Sequence, residues 1–239
     1  MSSEELPPFY KPLTPFSWQT SAYRAEAGRK GRESLAARGA RQLHSEKAEI
    51  YLVEDFFEAG LCERLVALTD GGCIPSELFV GHAYEEYRTS QTCNLPPDDP
   101  AVVEADTLID ALLQAEPSHG EPLQGQRYAP GQHYRMHPDF FYVDQAYWPQ
   151  VDRQGGQRTW TAMAYLNEPE AGGATRFPYL DLTVTPKRGM LLAWNNMITD
   201  GSPNNWTMHQ GCDVEAGTKY IVTKWYREKP FVLSLSASS

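Results

Sequence analysis

The half of the chain after Gly120 is the feature that most constrains the fold. Short segments of strand-like composition recur there, and Gly, Pro, Asn or Asp separates each from the next. The segments are QRYAP, FFYV, RTWTAMAYL, TRFPYL, LTVTP, GMLLAW, WTMHQG and KYIVTKWY. A series of about eight short strands without intervening helices is typical of a β-sandwich or jelly roll, not of alternating β–α units.

The first half of the chain predicts helices that would cover such a sheet. After a strand at IYLV, residues Gly60–Thr69 place leucines on one helical face, and Asp99 is a plausible N-cap before Pro100. Residues 21–48, rich in Ala, Arg and Glu, also favour a helix, although several glycines oppose it. We therefore predict an α+β fold that is mostly β, with a double-stranded β-helix (jelly-roll) core and an N-terminal helical layer.

Length and composition suggest one main domain with an extension. We assign residues 1–48 to a partly helical N-terminal extension and residues 49–239 to the main domain. The chain start lacks an apolar signal segment, and no apolar run approaches the roughly 18 residues that span a bilayer. The expectation is a cytoplasmic protein without a membrane partner.

Charge and cysteine usage exclude two further classes. The formal net charge is −10 and only residues 24–47 are basic, so nucleic acid is not expected as a partner. The cysteines are scattered and form no C-x-x-C pair, which argues against a zinc ribbon or a disulfide framework. We expect all of them to be reduced thiols: Cys62, Cys73, Cys93 and Cys212.

A His-x-Asp pair in the segment YRMHPD carries the first chemical signal. On an extended backbone His137 and Asp139 point to the same side, as a chelating pair must. With one more histidine they would form the facial triad that suits non-haem Fe(II) and leaves coordination positions open. His209 is the only histidine after His137 and follows a loop at a predicted strand end, so it is the candidate third ligand.

The other histidines fit a metal site less well. His133 lies four residues before His137, but no HExxH motif is present and Pro138 opposes a helix there. We interpret His133 as a wall residue of the site and not as a ligand. The remaining histidines are expected at the surface: His44, His82 and His119.

Lys219 adds a second chemical signal at the start of an apolar, strand-like run. A lysine on a late strand is usually a surface charge, but a buried lysine needs an anion. A dicarboxylate that chelates the metal at one end could place its other carboxylate there, in a charge-assisted hydrogen bond.

Four sequence blocks in order then resemble a known family. RYAPGQHYRMHPDF matches Tyr-x-x-Gly-Gln-x-Tyr-x-x-His-x-Asp, and RTWTAMAYLNEPEAGGATRFP matches Arg-x-x-Thr…Tyr-Leu-Asn…Gly-Gly-x-Thr-x-Phe-Pro. TPKRGMLLAWNN and HQGCDVEAGTKY match the Pro-x-x-Gly…Trp-Asn and His-x-Gly…Val-x-x-Gly-x-Lys blocks, and YRTSQTCNL is similar to an Arg-Thr-Ser strand. Over roughly residues 50–226 the chain thus resembles the 2-oxoglutarate- and Fe(II)-dependent dioxygenases of the prolyl 4-hydroxylase-like family.

The resemblance implies roles for individual residues. The implied iron ligands are His137, Asp139 and His209. The residues implied for 2-oxoglutarate are Lys219, which would pair with its distal carboxylate, and the hydrogen-bond donors Tyr128 and Thr161. The residues implied to face or support the substrate are Tyr134, Arg158 and Trp225. The implied cofactor and co-substrates are Fe(II), 2-oxoglutarate and O2, with ascorbate as a further family expectation.

The implied reaction hydroxylates an aliphatic C–H bond, with succinate and CO2 as co-products. Our first hypothesis is a prolyl residue of a protein or peptide, which the polar loops at residues 143–157 and 195–205 would clamp. A hydroxylase of free amino acids or other small molecules is the alternative, and a non-catalytic jelly-roll binding module is a third. A zinc enzyme fits less well, because zinc prefers tetrahedral sites and has no use for Lys219.

Three departures from the family pattern leave the subfamily and substrate open. Ala174 stands where Glu is usual, Asp213 where Pro is common, and Tyr220 where Trp is common. None of the three coincides with an implied iron ligand or with Lys219.

Overall fold

The computed structural model describes residues 19–44, 46–76 and 87–233. Within these ranges the helices are α1 (Ala22–Ala37), α2 (Ala59–Asp70), α3 (Pro100–Leu113) and α4 (Trp148–Arg153). The strands are β1 (Arg41–His44), β2 (Ile50–Val53), β3 (Ile74–Pro75), β4 (Gln91–Asn94), β5 (Gln124–Tyr128), β6 (Tyr134–His137), β7 (Arg158–Tyr165), β8 (Ala171–Gly172), β9 (Thr175–Phe177), β10 (Leu182–Val184), β11 (Leu191–Asn195), β12 (His209–Gly211), β13 (Val214–Ala216) and β14 (Lys219–Arg227).

Two antiparallel sheets face each other. One has the order β1-β2-β11-β7-β14-β5-β4-β3, the other has the order β10-β9-β12-β6, and β8 pairs with β13 beside them. A buried cluster joins the sheets, with Tyr165 and Trp194 from the larger one against Phe177 from the smaller one. The prediction of an α+β protein built on a double antiparallel sheet is confirmed.

Strand β14 places side chains in the cavity on one face of the large sheet and in the core on the other. Lys219 and Ile221 line a cavity between the sheets, whereas Val222 and Tyr226 belong to the core on the other side. Side chains alternate between the faces of a strand, so both faces of β14 are buried, with apolar residues interrupted by buried polar ones such as Thr223 and Lys224.

Helices α2 and α3 form the layer on the outer face of the large sheet. Leu65 of α2 and Ile109 of α3 share a buried cluster with Val222. The predicted cap of α3 is present, because the Asp99 side chain accepts a hydrogen bond from the backbone N–H of Ala101. No helix within the described ranges is both long and apolar enough to cross a membrane.

Helix α1 packs closely on the same sheet through its glycines. A Cβ atom at Gly31 would lie 2.6 Å from the Trp160 ring, and one at Gly28 would lie 2.7 Å from Asn195 Nδ2. The Trp160 indole N–H also donates to the Ala27 carbonyl at 3.1 Å. Gly28 and Gly31, which count against a helix in the sequence, are therefore the residues that let α1 approach the sheet.

Two predicted segments differ in the structure. Residues 140–143, predicted as a strand, form none, because the Gln157 side chain instead pairs with both backbone groups of Phe141, at 2.9 and 2.6 Å. The loop at residues 195–205 is packed and does not line the cavity, and Arg24 of α1 donates to its Gly201 carbonyl at 2.6 Å. The loop at residues 143–157 contains α4 and contributes Tyr147 to the cavity wall.

The expectation of four reduced thiols was wrong for one pair. The structure joins Cys73 and Cys93 in a disulfide with the Cα atoms 4.4 Å apart, and leaves Cys62 and Cys212 free. The pairing of β3 with β4 aligns Ile74 with Thr92 and so brings the two cysteines opposite each other. Sequence spacing alone does not reveal that register.

The close seating of α1 predicts that Gly31→Ala destabilises the protein. Overpacking of this kind costs about 1–3 kcal/mol, more than the gain in helix propensity of up to about 1 kcal/mol. Chemical denaturation should therefore show a free energy of unfolding lower by about 1–2 kcal/mol. Gly60→Ala in α2 is the matched control, because nothing lies within 4 Å of a Cβ at that position. If Gly31→Ala stabilised the protein as much as Gly60→Ala, the docking of α1 on Trp160 would be wrong.

Candidate metal centre and co-substrate cavity

The pairing of β6 with β12 brings the candidate ligands together. His209 is the cross-strand partner of His137, and their ring centroids are 4.3 Å apart. Asp139 follows two residues after His137, and one potential ligand atom of each residue lies within 4.8 Å of the others. All three side chains are buried. Within the described ranges no other group of three His, Cys, Asp or Glu side chains meets in this way.

Backbone carbonyls orient both imidazoles for metal binding. Nδ1 of His137 lies 2.7 Å from the Arg135 carbonyl oxygen, and Nδ1 of His209 lies 3.0 Å from that of Thr207. A carbonyl only accepts, so each Nδ1 carries a proton and each Nε2 keeps its lone pair for a metal. Burial, followed by the neighbouring His209, lowers the pKa of His137 well below its usual range and favours the neutral form that binds metal.

Asp139 is held by different neighbours. Its Oδ2 accepts a hydrogen bond from the Thr161 hydroxyl at 2.7 Å, and its Oδ1 lies 3.8 Å from the Arg158 guanidinium. Thr161 was predicted as a donor to 2-oxoglutarate. It does not line the cavity, and its single hydroxyl proton is used on Asp139, so the structure places it behind the metal site.

The donor set fits Fe(II). Two imidazole nitrogens and one carboxylate oxygen are the ligands of the facial triad, and the side of the triad facing the cavity is open for further ligands. Structural zinc sites usually close a tetrahedron with a fourth protein ligand, and this group offers three.

A cavity of about 240 Å³ extends from the triad to Lys219. Lys219 is 1 % exposed, and its ammonium faces the rings of Tyr128 and Tyr165 at 5.1 and 5.6 Å. Among the described residues no carboxylate lies within ion-pair distance of it. Burial lowers the pKa of Lys219 to about 8. A buried cation without a protein anion is suited to the distal carboxylate of a small dicarboxylate.

Tyr128 lines the cavity beside Lys219, as predicted, but it has a partner that the sequence did not suggest. Its hydroxyl donates to Gln126 Oε1 at 2.7 Å, and Gln126 Nε2 lies 3.4 Å from the Thr223 hydroxyl. Gln124, Gln126 and Tyr128 alternate along β5, so all three face the cavity. That alternation was the signal in the sequence that could have identified Gln126.

The three predicted substrate-side residues all line the cavity near the triad. Tyr134 stacks on His137 with ring centroids 3.4 Å apart, and the Arg158 guanidinium lies 4.0 Å from the centre of the Trp225 ring. Arg158 is also held by both oxygens of Glu121, at 2.6 and 2.9 Å. The sequence interpretation missed Glu121.

Glu121 is shared by two buried arginines. Its Oε1 lies 2.6 Å from Arg158 Nε and 2.5 Å from Arg227 Nε. Although burial raises the pKa of Glu121, the two guanidinium groups outweigh that effect and hold it below its usual value. Arg158 therefore shares one carboxylate with Arg227, and Glu121 holds its guanidinium in place before any substrate arrives.

The histidines excluded as ligands lie away from the triad. His133 does not line the cavity, and its Nδ1 lies 3.0 Å from Asp213 Oδ1. His44 and His119 are half-buried, not at the surface as expected. His82 lies outside the described residues.

Comparisons with known proteins agree with this site. The model of the 2OG-Fe(II) oxygenase superfamily matches residues 123–227. Prolyl 4-hydroxylase subunit alpha-3 of Homo sapiens is 37% identical over 146 residues, which are 60% of this chain and 26% of the relative. The chain thus spans about a quarter of the length of that relative.

Solved structures show the same fold. The viral collagen prolyl hydroxylase vCPH from Paramecium Bursaria Chlorella virus-1, in its 2OG complex, is 26% identical with a TM-score of 0.59. The match covers 74% of this chain and 95% of vCPH. A Pseudomonas putida prolyl-4-hydroxylase, 22% identical with a TM-score of 0.54 over 84% of this chain and 98% of its own, supports the fold alone. The predicted jelly-roll core and the family resemblance are confirmed, and the family implies Fe(II), 2-oxoglutarate and O2.

The pKa of Lys219 predicts a pH dependence of 2-oxoglutarate binding. Below pH 8 the lysine already carries its proton, whereas above about 8 the free protein loses it and must regain it on binding. Calorimetric titration of the Fe(II)-loaded protein under argon should show the Kd rising about tenfold per pH unit above that point. A Kd that stayed flat between pH 7 and pH 10 would contradict this role of the ammonium.

Substitution of the same residue should remove that dependence. Lys219→Met keeps the length of the side chain without its charge, and should weaken 2-oxoglutarate binding by roughly 10- to 100-fold at pH 7, the loss of a charge-assisted hydrogen bond. The matched control is Lys187→Met, because Lys187 lies exposed on the surface and does not line the cavity. Equal affinities in the two variants would refute the assignment of Lys219.

Proposed function

We propose that this chain, whose residues 123–227 belong to the 2OG-Fe(II) oxygenase superfamily, is an Fe(II)- and 2-oxoglutarate-dependent dioxygenase that hydroxylates prolyl residues of a protein or peptide. One observation carries the proposal. A single cavity holds an open His–Asp–His triad and, apart from it, a buried lysine that has no anionic partner within the described part of the chain. A metal ligand that is also a dicarboxylate satisfies both features at once.

Each group in the cavity then has a task. The Nε2 atoms of His137 and His209 and the carboxylate of Asp139 would hold Fe(II), which supplies oxygen-activating chemistry when 2-oxoglutarate and O2 are bound. Lys219 would bind the distal carboxylate. Tyr128, whose ring lies 5.1 Å from the Lys219 ammonium, would donate its hydroxyl to the same carboxylate in place of Gln126. The co-products would be succinate and CO2.

The walls of the cavity support chemistry that must exclude water. Phe140, Tyr142 and Trp225 line it near the triad, and each is less than one tenth exposed. Apolar walls limit unproductive reactions with solvent and strengthen the interactions of charged groups inside. This enclosure suits a reaction that oxidises an unactivated C–H bond.

The aromatic lining also supports a prolyl substrate. Tyr134, Phe141, Tyr147 and Trp225 all line the cavity that contains the triad. Grooves lined by aromatic side chains bind proline-rich segments, whose preformed extended helix loses little entropy on docking. The 26% identical viral protein vCPH is a collagen prolyl hydroxylase, which supports the same substrate class. The specific partner, a requirement for ascorbate and the cytoplasmic location stay predictions.

Mass spectrometry tests the proposal directly. The Fe(II)-loaded protein, incubated with 2-oxoglutarate, air and a set of proline-containing peptides, should add the mass of one oxygen atom to a prolyl residue and release equimolar succinate. Peptides with alanine in place of proline should remain unchanged. Turnover of free proline without modification of any peptide would instead favour the small-molecule alternative.

Variants of the triad separate an enzyme from a binding module. His137→Ala or Asp139→Ala should abolish succinate formation, because each removes one of three metal ligands. His133→Ala is the matched control, since His133 does not line the cavity, and it should retain most of the succinate formation. If the protein without substitutions formed no succinate with any substrate class, the result would favour a non-catalytic jelly-roll binding module.

A further inference from the structure

We propose that Asn196 and Thr161 form a hydrogen-bond relay that positions the Asp139 carboxylate for metal binding. The inference rests on the proposed function, since it concerns the same metal site. Both residues are fully buried, and neither lines the cavity, so they would act through Asp139 as positioning residues and not on the substrate.

The chemistry of the groups fixes the direction of the first step. The Thr161 hydroxyl lies 2.7 Å from Asp139 Oδ2, and a carboxylate can only accept. Thr161 must therefore donate its single proton to Asp139. This bond fixes the rotation of the carboxylate, because it holds Oδ2 toward Thr161.

The second step follows from the first. Asn196 Nδ2 lies 2.9 Å from the Thr161 oxygen, which has already given its proton to Asp139 and can only accept from Asn196. The amide must present its NH₂ group there, because a carbonyl oxygen would face a lone pair. Asn196 thus orients the Thr161 hydroxyl toward the metal ligand.

Backbone bonds hold the amide in place. The Asn196 N–H donates to the Thr159 carbonyl at 2.7 Å, and its own carbonyl accepts from the Asn204 N–H at 2.9 Å. Asn196 is therefore tied both to β7, the strand that carries Thr161, and to the packed loop that leads to His209. Asn196 therefore links the strand behind Asp139 to the loop that precedes His209.

Asp139 needs such a relay more than the histidines do. The histidines are oriented by backbone carbonyls, whereas the hydrogen bond to Asp139 comes from a side chain. The nearby Arg158 lies 3.8 Å away and directs its paired hydrogen bonds to Glu121. Groups behind a metal ligand orient it and tune its affinity.

A cost to the fold supports a role in the site. Asn196 Oδ1 is buried and has no hydrogen-bond partner among the described residues. An apolar residue of similar size would avoid that cost. A buried amide with one unsatisfied end is unfavourable for folding, so its benefit must come from the end that binds Thr161.

Metal affinity provides a test that does not require turnover. Mn(II) and Co(II) titrations, followed by electron paramagnetic resonance and visible absorption, should show roughly 10- to 100-fold weaker binding in Thr161→Val. Thr161→Ser, which keeps the hydroxyl, should restore most of the affinity. Asn196→Leu should weaken metal binding without lowering the thermal stability of the metal-free protein, because it also removes the unpaired oxygen.

Thr159→Val is the matched control. Thr159 is buried on the same strand, but its hydroxyl donates to the Tyr226 carbonyl at 3.1 Å, away from the triad. This variant should lose stability and keep its metal affinity. The relay is refuted if Thr161→Val binds metal as tightly as Thr159→Val, or if Thr161→Ser fails to recover affinity while remaining folded. If Thr161→Val weakens metal binding and Thr161→Ser restores it, but no substrate is hydroxylated, the relay is supported and the proposed function is wrong.

Discussion

The cross-strand pair of His137 and His209 is the contact on which the site depends. Antiparallel pairing of β6 with β12 sets the two imidazoles side by side, and a slip of one residue would turn one of them to the opposite face. The small sheet that carries the pair is held against the large one by a buried aromatic cluster, in which Trp194 packs on both Phe177 and His209. The position of the metal ligands is thus fixed by the core of the fold.

The large sheet contributes further cavity-lining residues and the hydrogen bond that supports Asp139. On β14, Lys219 and Trp225 both line the cavity, and the Trp225 ring lies 4.0 Å from the Arg158 guanidinium. On the neighbouring β7, Thr161 reaches Asp139 from behind. Because regular strands space these groups at fixed intervals, β7 and β14 set the positions of Lys219, Trp225 and Thr161, whereas the two histidines lie on β6 and β12 of the small sheet.

The sequence predicted those parts of the site that depend on local spacing. The His-x-Asp pair follows from alternation along an extended segment, and Lys219 stands out because it starts an apolar, strand-like run. Asp99 followed by Pro100 signals a helix start within two residues. Features that depend on which strands become neighbours were missed or placed wrongly. The disulfide of Cys73 needed the β3–β4 register, and the partner of Thr161 needed the packing of Asp139 against β7.

The site and its surroundings carry buried polar atoms that cost stability. Unpaired polar atoms among the described residues include Trp194 Nε1 and Trp225 Nε1, which belong to cavity-lining side chains, and Asn196 Oδ1 behind the metal site. Each such atom costs about 1–3 kcal/mol, against a net stability of about 5–15 kcal/mol for a typical domain.

A chain selected for stability alone would replace these groups, and the buried ammonium of Lys219, with apolar ones. Because these groups have no partners within the described ranges, the folded protein holds hydrogen-bonding capacity and charge that those residues do not satisfy. Ligands that satisfy them bind the native state and not the unfolded chain, so they return part of the lost stability. Among these groups the Lys219 ammonium lines the cavity and favours an anionic ligand there, whereas Asn196 Oδ1 lies behind the metal site.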